Sequence, residues 1–506
     1  MKIWLNTSLD YEREDDPEDD CVNPSARYSS GLLPIQEADI ELVRKKILKR
    51  APSLYVRACG EELWLVSNPL GEGSIVVCDT QALSLLNLFD TPGELARAGQ
   101  LFPHWVQEDV EQFVALFYKL GFLVGVGERT HAHPFTASAA EELTAWLHVT
   151  NACNLRCHYC YLVKTQDDLS IEVGRKAVDA LFRVAVKHKM KRIKIKYAGG
   201  EASLQIGNVL ALHEYSTQLA LRHDIELKTV LLSNGVVLSQ RTIDQLKARN
   251  IAVAISLDGL GSYHDQQRPF RQGQASSRYV TRTIERLLAN GLIPHISITI
   301  SQRNLEGLPD LINFILAHRL PFSFNYYREN RHSAHIADLQ FIDEDIIRAM
   351  RSVFLILEKN LPARSLLNCL LDKAKLAAPH QHTCGVGQNY LVIDQKGGVA
   401  KCQMEIEQTV TTVEVEDPLE ELRNDREGVA GLSVDEKEGC RECTWRYWCT
   451  GGCPTVTYRA TGRYDVKSPN CAIYQELLPD VLRLEALRLL HYEMPLTARQ
   501  SNLRAS

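Results

Sequence analysis

The sequence predicts an α/β protein with an open six-stranded barrel at its centre, a small α+β domain before it and a cysteine-rich domain after it. Six short β-rich runs alternate with helical stretches in the middle of the chain, a few short strands precede them, and seven cysteines fall within residues 384–471. At 506 residues the chain is too long for a single core, and about three domains are expected.

The predicted barrel strands share β-branched and aromatic residues, and each is followed by a helical stretch. They are residues 145–150, 192–197, 227–232, 251–256, 295–300 and 322–327. Six such units make an open barrel rather than a closed eight-fold one. Because function in α/β barrels lies at the carboxyl ends of the strands, we expect the chemistry in the segments that follow these runs.

The segment after the first run holds three closely spaced cysteines, Cys153, Cys157 and Cys160. Three thiolates can hold a four-iron cluster and leave one iron open to a cofactor or substrate, whereas structural clusters are closed by four. A zinc site or a chance spacing is the alternative. The pattern favours an iron-sulfur site that performs chemistry.

This spacing, with an aromatic residue before the third cysteine, resembles the signature of the radical S-adenosylmethionine (radical SAM) enzymes. The resemblance covers residues 144–375 and implies a partial (β/α)6 TIM-like radical SAM barrel. It also implies that Cys153, Cys157 and Cys160 ligate a catalytic [4Fe-4S] cluster whose open iron chelates SAM. Reductive cleavage of SAM then gives a 5'-deoxyadenosyl radical that abstracts a hydrogen atom.

Further residues at the strand ends fit the same resemblance. Gly199, Gly200 and Glu201 follow the second run and match the family element that binds the methionine ammonium of SAM. The other SAM contacts that the resemblance implies are Ser233, Asn234, Ser256 and Arg268, and Asp258 is expected to line the active site. For Asn234 and Asp258, each followed by glycine, the alternative is turn chemistry alone.

The seven later cysteines resemble the SPASM domain, which carries two auxiliary [4Fe-4S] clusters in enzymes that modify peptides and proteins. By this resemblance one complete cluster takes Cys440, Cys443, Cys449 and Cys471, and a second takes Cys384, Cys402 and Cys453 without a fourth thiolate. Some relatives supply that ligand where this chain has Tyr390, and Cys369 is an outside candidate. An open site would suit binding of a substrate cysteine and a thioether crosslink. A closed cluster would accept electrons, which suits a carbon-carbon crosslink.

Before the barrel, residues 53–126 predict three strands and then three helices. The strands are 53–59, 62–66 and 74–77, and the helices are 80–89, 92–98 and 107–120. This order resembles the winged-helix-like recognition element that captures leader peptides of ribosomally synthesised and post-translationally modified peptides (RiPPs), by strand addition at a sheet edge. The same fold binds DNA elsewhere, but Arg57, Arg97 and Lys119 form no basic helix face, which favours peptide capture.

These patterns predict five parts. They are an acidic extension (1–45), a leader-peptide recognition domain (46–130), the radical SAM core (144–375), the SPASM domain (376–475), and a terminal helix and tail (476–506). The formal net charge of -6 gives no reason to expect nucleic acid as a partner. Neither a secretory signal nor an apolar run of transmembrane length is visible, so a cytoplasmic protein without a membrane partner is expected.

The leading hypothesis is a radical SAM/SPASM maturase that crosslinks a ribosomal precursor peptide and receives electrons from flavodoxin or ferredoxin. One alternative is a maturase of a protein substrate, such as an amine dehydrogenase subunit or a sulfatase. Gln403 stands where sulfatase maturases carry an aspartate base, and glutamine cannot take that proton. An alternative from another class is a non-catalytic iron-sulfur electron carrier or a redox-sensing winged-helix regulator.

Overall fold

The computed structural model describes residues 1–5, 35–71, 73–128 and 141–496. The elements before the barrel are β1 (Ile3–Leu5), α1 (Glu37–Arg44), β2 (Leu48–Arg50), β3 (Tyr55–Gly60), β4 (Leu63–Ser67), β5 (Ile75–Asp79), α2 (Thr80–Asn87), α3 (Ala96–Leu101), α4 (Gln107–Lys119) and β6 (Leu123–Gly125). The three strands and three helices predicted from the sequence are present within a few residues of their expected bounds. The structure adds β1, α1, β2 and β6, which the sequence does not predict.

Strands β3, β4 and β5 form an antiparallel sheet that β1 extends, in the order β1-β5-β4-β3. Ile3 pairs with Cys78 of β5, and Ile3 and Leu496 exchange two backbone hydrogen bonds on the opposite side. The β5 side of the sheet is therefore covered by residues of the chain itself. Within the described ranges, β3 is the edge strand on the other side.

The barrel follows. Its elements are β7 (Glu142–Thr150), α5 (Ile171–Lys187), β8 (Arg192–Gly199), α6 (Ile206–His223), β9 (Glu226–Ser233), α7 (Gln240–Ala248), β10 (Ala252–Ser256), α8 (Ser262–Asp265), α9 (Ser277–Ala289), β11 (His295–Ile300), α10 (Leu308–Ala317), β12 (Phe322–Tyr326) and α11 (Asp343–Lys359). Strands β7 to β12 lie side by side in chain order, and all are parallel. The parallel sheet and its six predicted strands are confirmed.

The alternation of side chains along the strands shows which face of the sheet is turned toward the helices and which toward the barrel interior. Ile193, Ile195 and Tyr197 of β8 pack in one apolar core with Val178 and Leu181 of α5. Because side chains alternate along a strand, the residues between them face the barrel interior. Ser170 caps the start of helix α5, because its side chain accepts a 3.2 Å hydrogen bond from the Val173 amide.

The last part of the chain continues the barrel sheet. Its elements are β13 (Tyr390–Ile393), β14 (Gly398–Ala400), β15 (Thr409–Thr412), α12 (Pro418–Asn424), α13 (Arg446–Cys449), α14 (Pro454–Thr461) and α15 (Cys471–Tyr492). Strand β13 pairs in parallel with β7, and β14 and β15 follow antiparallel, which gives a nine-stranded sheet. No helix in the described ranges is both long and apolar enough to cross a membrane.

Candidate active site

The cysteine loop, residues 153–160, lies directly after β7, at the carboxyl end of the first barrel strand. Two backbone hydrogen bonds hold it against the segment after β10, from Arg156 N to Pro269 O at 2.8 Å and from His158 N to Gln267 O at 3.0 Å. The three thiols converge: burial raises the pKa of Cys157 to about 12, and the thiols of Cys160 and Cys153 act in the same direction. The loop therefore brings three sulfur ligands near one another, as a three-cysteine iron-sulfur site needs.

Two adjacent glycines let the cysteine loop sit against β8. A Cβ at Gly199 would lie 2.5 Å from the Thr150 carbonyl oxygen, and one at Gly200 would lie 2.3 Å from the Ala152 carbonyl oxygen. Both distances are shorter than van der Waals contact with immovable backbone. The glycines thus permit close packing of the chain on itself, and the cysteine loop could not take this position above any other residue type.

Glu201 is buried, and its carboxylate joins the ends of β8 and β9. One oxygen accepts hydrogen bonds from Ser233 Oγ at 2.7 Å and from Ser203 N at 3.1 Å, and the other accepts from Asn234 N at 2.7 Å. Asn234 Nδ2 in turn donates to Asn154 Oδ1 at 2.7 Å. Five residues at three strand ends thereby form one connected polar network beside the cysteine loop.

Asp258 and Arg268 lie beneath the cysteine loop and contact Tyr159 within it. The Tyr159 hydroxyl donates to Asp258 Oδ2 at 2.6 Å, Arg268 donates to the Tyr159 hydroxyl at 2.5 Å, and Thr299 N donates to Asp258 Oδ1 at 2.9 Å. Burial raises the pKa of Asp258, whereas the Arg268 guanidinium and the Tyr159 hydroxyl lower it. Asp258 is fully buried, so these contacts make it a residue that positions the loop. Ser256, also expected as a SAM contact, ends β10 and pairs in register with Ser297 of β11.

Lys164 places a cation beside the thiols. Its Nζ lies 3.0 Å from Cys160 Sγ, and the thiols of Cys160 and Cys153 raise the pKa of Lys164 against the effect of burial. Converging thiols, an adjacent cation and a carboxylate within a polar network suit an anionic iron-sulfur cluster together with a ligand that carries an amino group. The residues present therefore fit a [4Fe-4S] cluster and SAM.

The carboxyl-terminal cysteines form two groups. In the four-cysteine group, burial raises the pKa of Cys440 to about 11, and the thiols of Cys471 and Cys443 act in the same direction. Burial likewise raises the pKa of Cys449 to about 12, and the thiols of Cys443, Cys440 and Cys471 add to this. In the three-cysteine group, burial raises the pKa of Cys402 to about 12, and the thiols of Cys453 and Cys384 add to it. The structure thus brings together the same sets that the sequence resemblance implies.

The two residues considered as a fourth ligand for the three-cysteine group lie in different surroundings. Tyr390 packs in one apolar group with Cys402 and Cys384, and its hydroxyl donates to Gln403 Oε1 at 3.0 Å. Cys369 packs in the barrel core instead, where its Sγ lies 3.5 Å from the Leu366 carbonyl oxygen. Tyr390 is therefore a neighbour of the three-cysteine group.

The sequence analysis did not predict the roles of four side chains that lie near the cysteines. Tyr159 and Lys164 are hidden within or just after the cysteine motif. Arg328 follows β12, pairs with Asp372 at 2.8 Å, and has a pKa raised by Asp372 and by the Cys453 thiol although burial opposes this. Lys437 is buried, and its Nζ donates to the Thr450 carbonyl at 2.8 Å. Lys437 lies three residues before Cys440, the one sequence signal that could have drawn attention to it.

Comparisons with known proteins agree with this geometry. Residues 147–315 match the family model of the radical SAM superfamily. An uncharacterized protein of Methanocaldococcus jannaschii is 26% identical over 172 residues, which cover 34% of this chain and 57% of that protein. The subtilosin biosynthesis protein AlbA of Bacillus subtilis is 27% identical over 199 residues, covering 37% of this chain and 41% of AlbA. The chain thus spans only about half the length of these two relatives.

A serine-type anaerobic sulfatase-maturating enzyme of Bacteroides thetaiotaomicron is 19% identical over 355 residues, covering 61% of this chain and 81% of that enzyme. Among solved structures, native anSMEcpe with bound AdoMet and Cp18Cys peptide superposes with a TM-score of 0.54 at 16% identity, covering 68% of this chain and 98% of that one. At this identity the superposition establishes the fold alone. With three thiols near one another at the head of a six-stranded parallel barrel, this chain carries a radical SAM superfamily domain at residues 147–315 and is similar over part of its length to a protein of peptide maturation.

Proposed function

We propose that this chain uses SAM and a [4Fe-4S] cluster to install a crosslink, either a thioether or a carbon-carbon bond, in a ribosomally synthesised precursor peptide. Cys153, Cys157 and Cys160 would hold the cluster, and Glu201 with Ser233 and Asn234 would orient SAM. When bound, the cluster and SAM supply a radical that abstracts hydrogen from the substrate. Two auxiliary [4Fe-4S] clusters would lie at the four-cysteine and three-cysteine groups.

The observation that carries the proposal is that the three-cysteine group lies against the same barrel strand as the cysteine loop. Leu162, two residues after Cys160, and Trp146 of β7 both pack against the apolar group that contains Cys402 and Cys384. Strand β13 is hydrogen-bonded to β7 in the same region. A substrate segment between the two sites would meet hydrogen abstraction at one end and a second group of three thiols at the other.

The amino-terminal sheet would capture the leader peptide. Its β5 side is covered by β1, so strand addition would use β3, the edge strand on the other side. Arg57 of β3 contacts Asp480 of α15 at 3.7 Å, which ties this strand to the helix that begins at Cys471. This contact supports a leader site that is connected through α15 to the four-cysteine group.

The sulfatase alternative receives less support from the residues. Gln403 follows Cys402 and accepts a hydrogen bond from the Tyr390 hydroxyl, an arrangement that orients an amide and offers no base. Glu405 lies two residues further along, and burial raises its pKa. The peptide-maturation proposal needs no carboxylate base at Gln403 and is therefore preferred.

The proposal is tested under anaerobic conditions. The chain is reconstituted with iron and sulfide, reduced by dithionite or by flavodoxin in the presence of SAM, and assayed for 5'-deoxyadenosine. The Cys153, Cys157 and Cys160 triple alanine variant should lose the product and about four irons per chain. Cys59→Ala is the control, because Cys59 lies on β3 and belongs neither to the cysteine loop nor to the four-cysteine or three-cysteine group. This variant should retain the product and the iron.

Peptide maturation is then assayed by mass spectrometry after coexpression with short open reading frames that encode a leader and core. A crosslink formed with a radical leaves the product two mass units lighter than the precursor, because two hydrogens are lost per bond formed. A chain that cleaves SAM, yet leaves every such peptide unchanged and modifies a folded protein instead, would contradict the peptide assignment.

A further inference from the structure

Lys437 is a buried cation at the turn that joins the four-cysteine group to the three-cysteine group. The turn is segment 449–453, which runs from Cys449 of the first group to Cys453 of the second. Lys437 is only 3% exposed, and its Nζ donates a 2.8 Å hydrogen bond to the Thr450 carbonyl oxygen inside this turn. The ammonium is therefore held at the junction of two sets of thiols.

The ammonium lies close to the four-cysteine group. A Cβ added at Gly451 would lie 3.2 Å from Lys437 Nζ and 3.2 Å from Cys440 Sγ, so these two atoms are separated by no more than twice that distance. Cys449 directly precedes Thr450, whose carbonyl oxygen accepts the hydrogen bond from the lysine. Two cysteines of this group are thus near the cation.

The Thr450 carbonyl oxygen also connects Lys437 to the three-cysteine group. Thr383 Oγ1 donates to this oxygen at 3.0 Å, and Thr383 directly precedes Cys384. Burial lowers the pKa of Lys437, whereas thiols of both groups act in the opposite direction. They are the thiols of Cys440, Cys384, Cys449 and Cys453. One lysine therefore lies within electrostatic reach of both auxiliary groups.

The charge of Lys437 is not balanced by a carboxylate. Lys401, another buried lysine, directly precedes Cys402 and pairs with Asp425 at 2.7 Å. No carboxylate within the described ranges forms such an ion pair with Lys437. A buried charge without a counterion costs free energy. Because iron-sulfur clusters with thiolate ligands are anions, a cluster at each cysteine group would supply the counterion, and the residues present fit such clusters.

A cation at this position favours the reduced form of a cluster. Reduction makes the cluster more negative, so a nearby positive charge stabilises the reduced form more than the oxidised form. Solvent and salt screen a buried charge much less than an exposed one. The ammonium of Lys437 is buried and fixed by the Thr450 carbonyl oxygen, so its effect on a neighbouring cluster is strong.

We infer that Lys437 raises the reduction potentials of both auxiliary clusters and thereby makes them suitable electron acceptors during crosslinking. The inference rests on the proposed function and adds a residue that controls its redox step. Formation of one bond removes two hydrogens from the peptide. One leaves as an atom that the 5'-deoxyadenosyl radical takes up. The other leaves as a proton, which passes to solvent, and an electron, which reduces an oxidised auxiliary cluster.

The test is a redox titration of the full chain in the Cys153, Cys157 and Cys160 triple alanine background, so that only the auxiliary clusters contribute. The protein is reconstituted with iron and sulfide, and the reduced clusters are measured by electron paramagnetic resonance at a series of fixed potentials. In Lys437→Met the ratio of reduced to oxidised cluster at a given potential should fall about tenfold for both clusters, which corresponds to a shift of about 59 mV for one electron.

Two further variants separate the charge from other effects. Lys437→Gln retains a hydrogen-bond donor but no charge, so it should lower both potentials as Lys437→Met does. Lys467→Met is the matched control, because Lys467 is exposed and its charge opposes the effect of burial on the pKa of Cys471 in the four-cysteine group. This variant should leave the potential of the three-cysteine cluster unchanged. Unchanged potentials in Lys437→Met, a shift in one cluster only, or equal shifts in the Lys437 and Lys467 variants would overturn the inference.

Failure of this inference is separable from failure of the proposed function, because the titration needs no cleavage of SAM. If the unsubstituted chain makes 5'-deoxyadenosine but the triple alanine variant binds no iron, radical chemistry stands and the inference is overturned. If both potentials depend on Lys437 but no peptide is crosslinked, the inference stands and the proposed reaction fails. Iron content and thermal midpoints identify a variant that has failed to fold, and the result for Lys437→Gln then decides.

Discussion

At the scale of single residues, the candidate site depends on two positions that have no side chain. Gly199 and Gly200 are required because the cysteine loop lies where their Cβ atoms would be. The sequence analysis assigned these glycines to a segment that binds SAM, and that assignment stays a prediction. The structure adds a second reason for glycine at both positions, because the chain itself approaches them from a segment almost fifty residues away.

Replacement of Gly200 by alanine should therefore disrupt the cysteine loop. The added Cβ would lie 2.3 Å from one backbone oxygen and 2.6 Å from another, and neither can move without displacing Cys153. We expect loss of about four irons per chain and of SAM-dependent 5'-deoxyadenosine. Gly207→Ala is the control, because its Cβ would meet nothing within 4 Å and alanine favours helix α6. Equal iron contents in the two variants would contradict this role of Gly200.

His148, inside the barrel on β7, gives the apo protein a pH-dependent stability. Burial lowers the pKa of His148 to about 4, whereas an unfolded histidine titrates near 6.5. The unfolded state therefore binds more protons below pH 6.5, and stability falls as the pH falls toward 4. Between pH 7 and pH 5 this residue should cost about 2 kcal/mol.

The measurement is the thermal midpoint of the apo chain at pH 7 and pH 5, compared with that of His148→Gln. The variant should lose less stability on acidification than the unsubstituted chain, because glutamine binds no proton. His335→Gln serves as the control, as His335 is exposed. A drop of the same size in all three proteins would show that other groups govern the acid response.

At the scale of elements, the sequence was most informative where strands are buried on both faces. All six barrel strands were predicted because Val, Ile and aromatic runs alternate with helices, and long-range packing does not change that pattern. Strands β1 and β2 were missed because each has three residues and is defined by its partner, β5 or β6, rather than by a periodicity of its own. The cysteine groups were predicted by motif. Lys164 and Lys437 lie close to cysteines in the sequence but belong to no motif, and Arg328 could not be predicted because folding alone brings it to Cys453.

The segment 449–453 is an element that joins the two auxiliary cysteine groups. Cys449 belongs to the four-cysteine group and Cys453 to the three-cysteine group, and Thr450, Gly451 and Gly452 between them all have positive φ, at 47°, 75° and 66°. Thr383 Oγ1 contacts the carbonyl oxygens of Thr450 at 3.0 Å and Gly452 at 2.9 Å. These contacts hold a strained turn in place.

Thr383→Val removes these contacts with almost no change in side-chain volume. It leaves the carbonyl oxygens of Thr450 and Gly452 with fewer hydrogen-bond donors. The expected cost is about 1–3 kcal/mol, with partial loss of iron from the auxiliary sites but not from the cysteine loop. Electron paramagnetic resonance of the reduced protein, together with iron analysis, separates the two effects. Thr281→Val on the barrel surface, where Oγ1 contacts only helix carbonyls, should change neither. Loss of iron from the cysteine loop alone would contradict this role of Thr383.

At the scale of the whole molecule, helix α15 connects the parts. It begins at Cys471 of the four-cysteine group, pairs with barrel helix α11 through Arg483 and Glu358 at 2.6 Å, and contacts β3, β4 and β5 of the amino-terminal sheet. One helix thus links an auxiliary cysteine, the barrel and the proposed leader site.

Substitution of Cys471 by serine should consequently reach the amino-terminal sheet. In the proposed auxiliary cluster the Cys471 thiolate anchors the first turn of α15, so without it amide hydrogen exchange should rise in β3 to β5 as well as in α15. Ala472→Ser, at the exposed neighbouring position, is the control and should leave exchange unchanged. Exchange that rises in α15 alone would show that the sheet is held independently of the cysteine.

The pairing of β7 with β13 has a consequence for the product. Because the strand that leads into the cysteine loop is hydrogen-bonded to the strand beside the three-cysteine group, the spacing between the two sites is set by a continuous sheet and not by a hinge. Such a sheet holds the two sites at a fixed distance from one another. If both sites engage one peptide, as proposed, that peptide must be long enough to span a distance that the fold keeps constant.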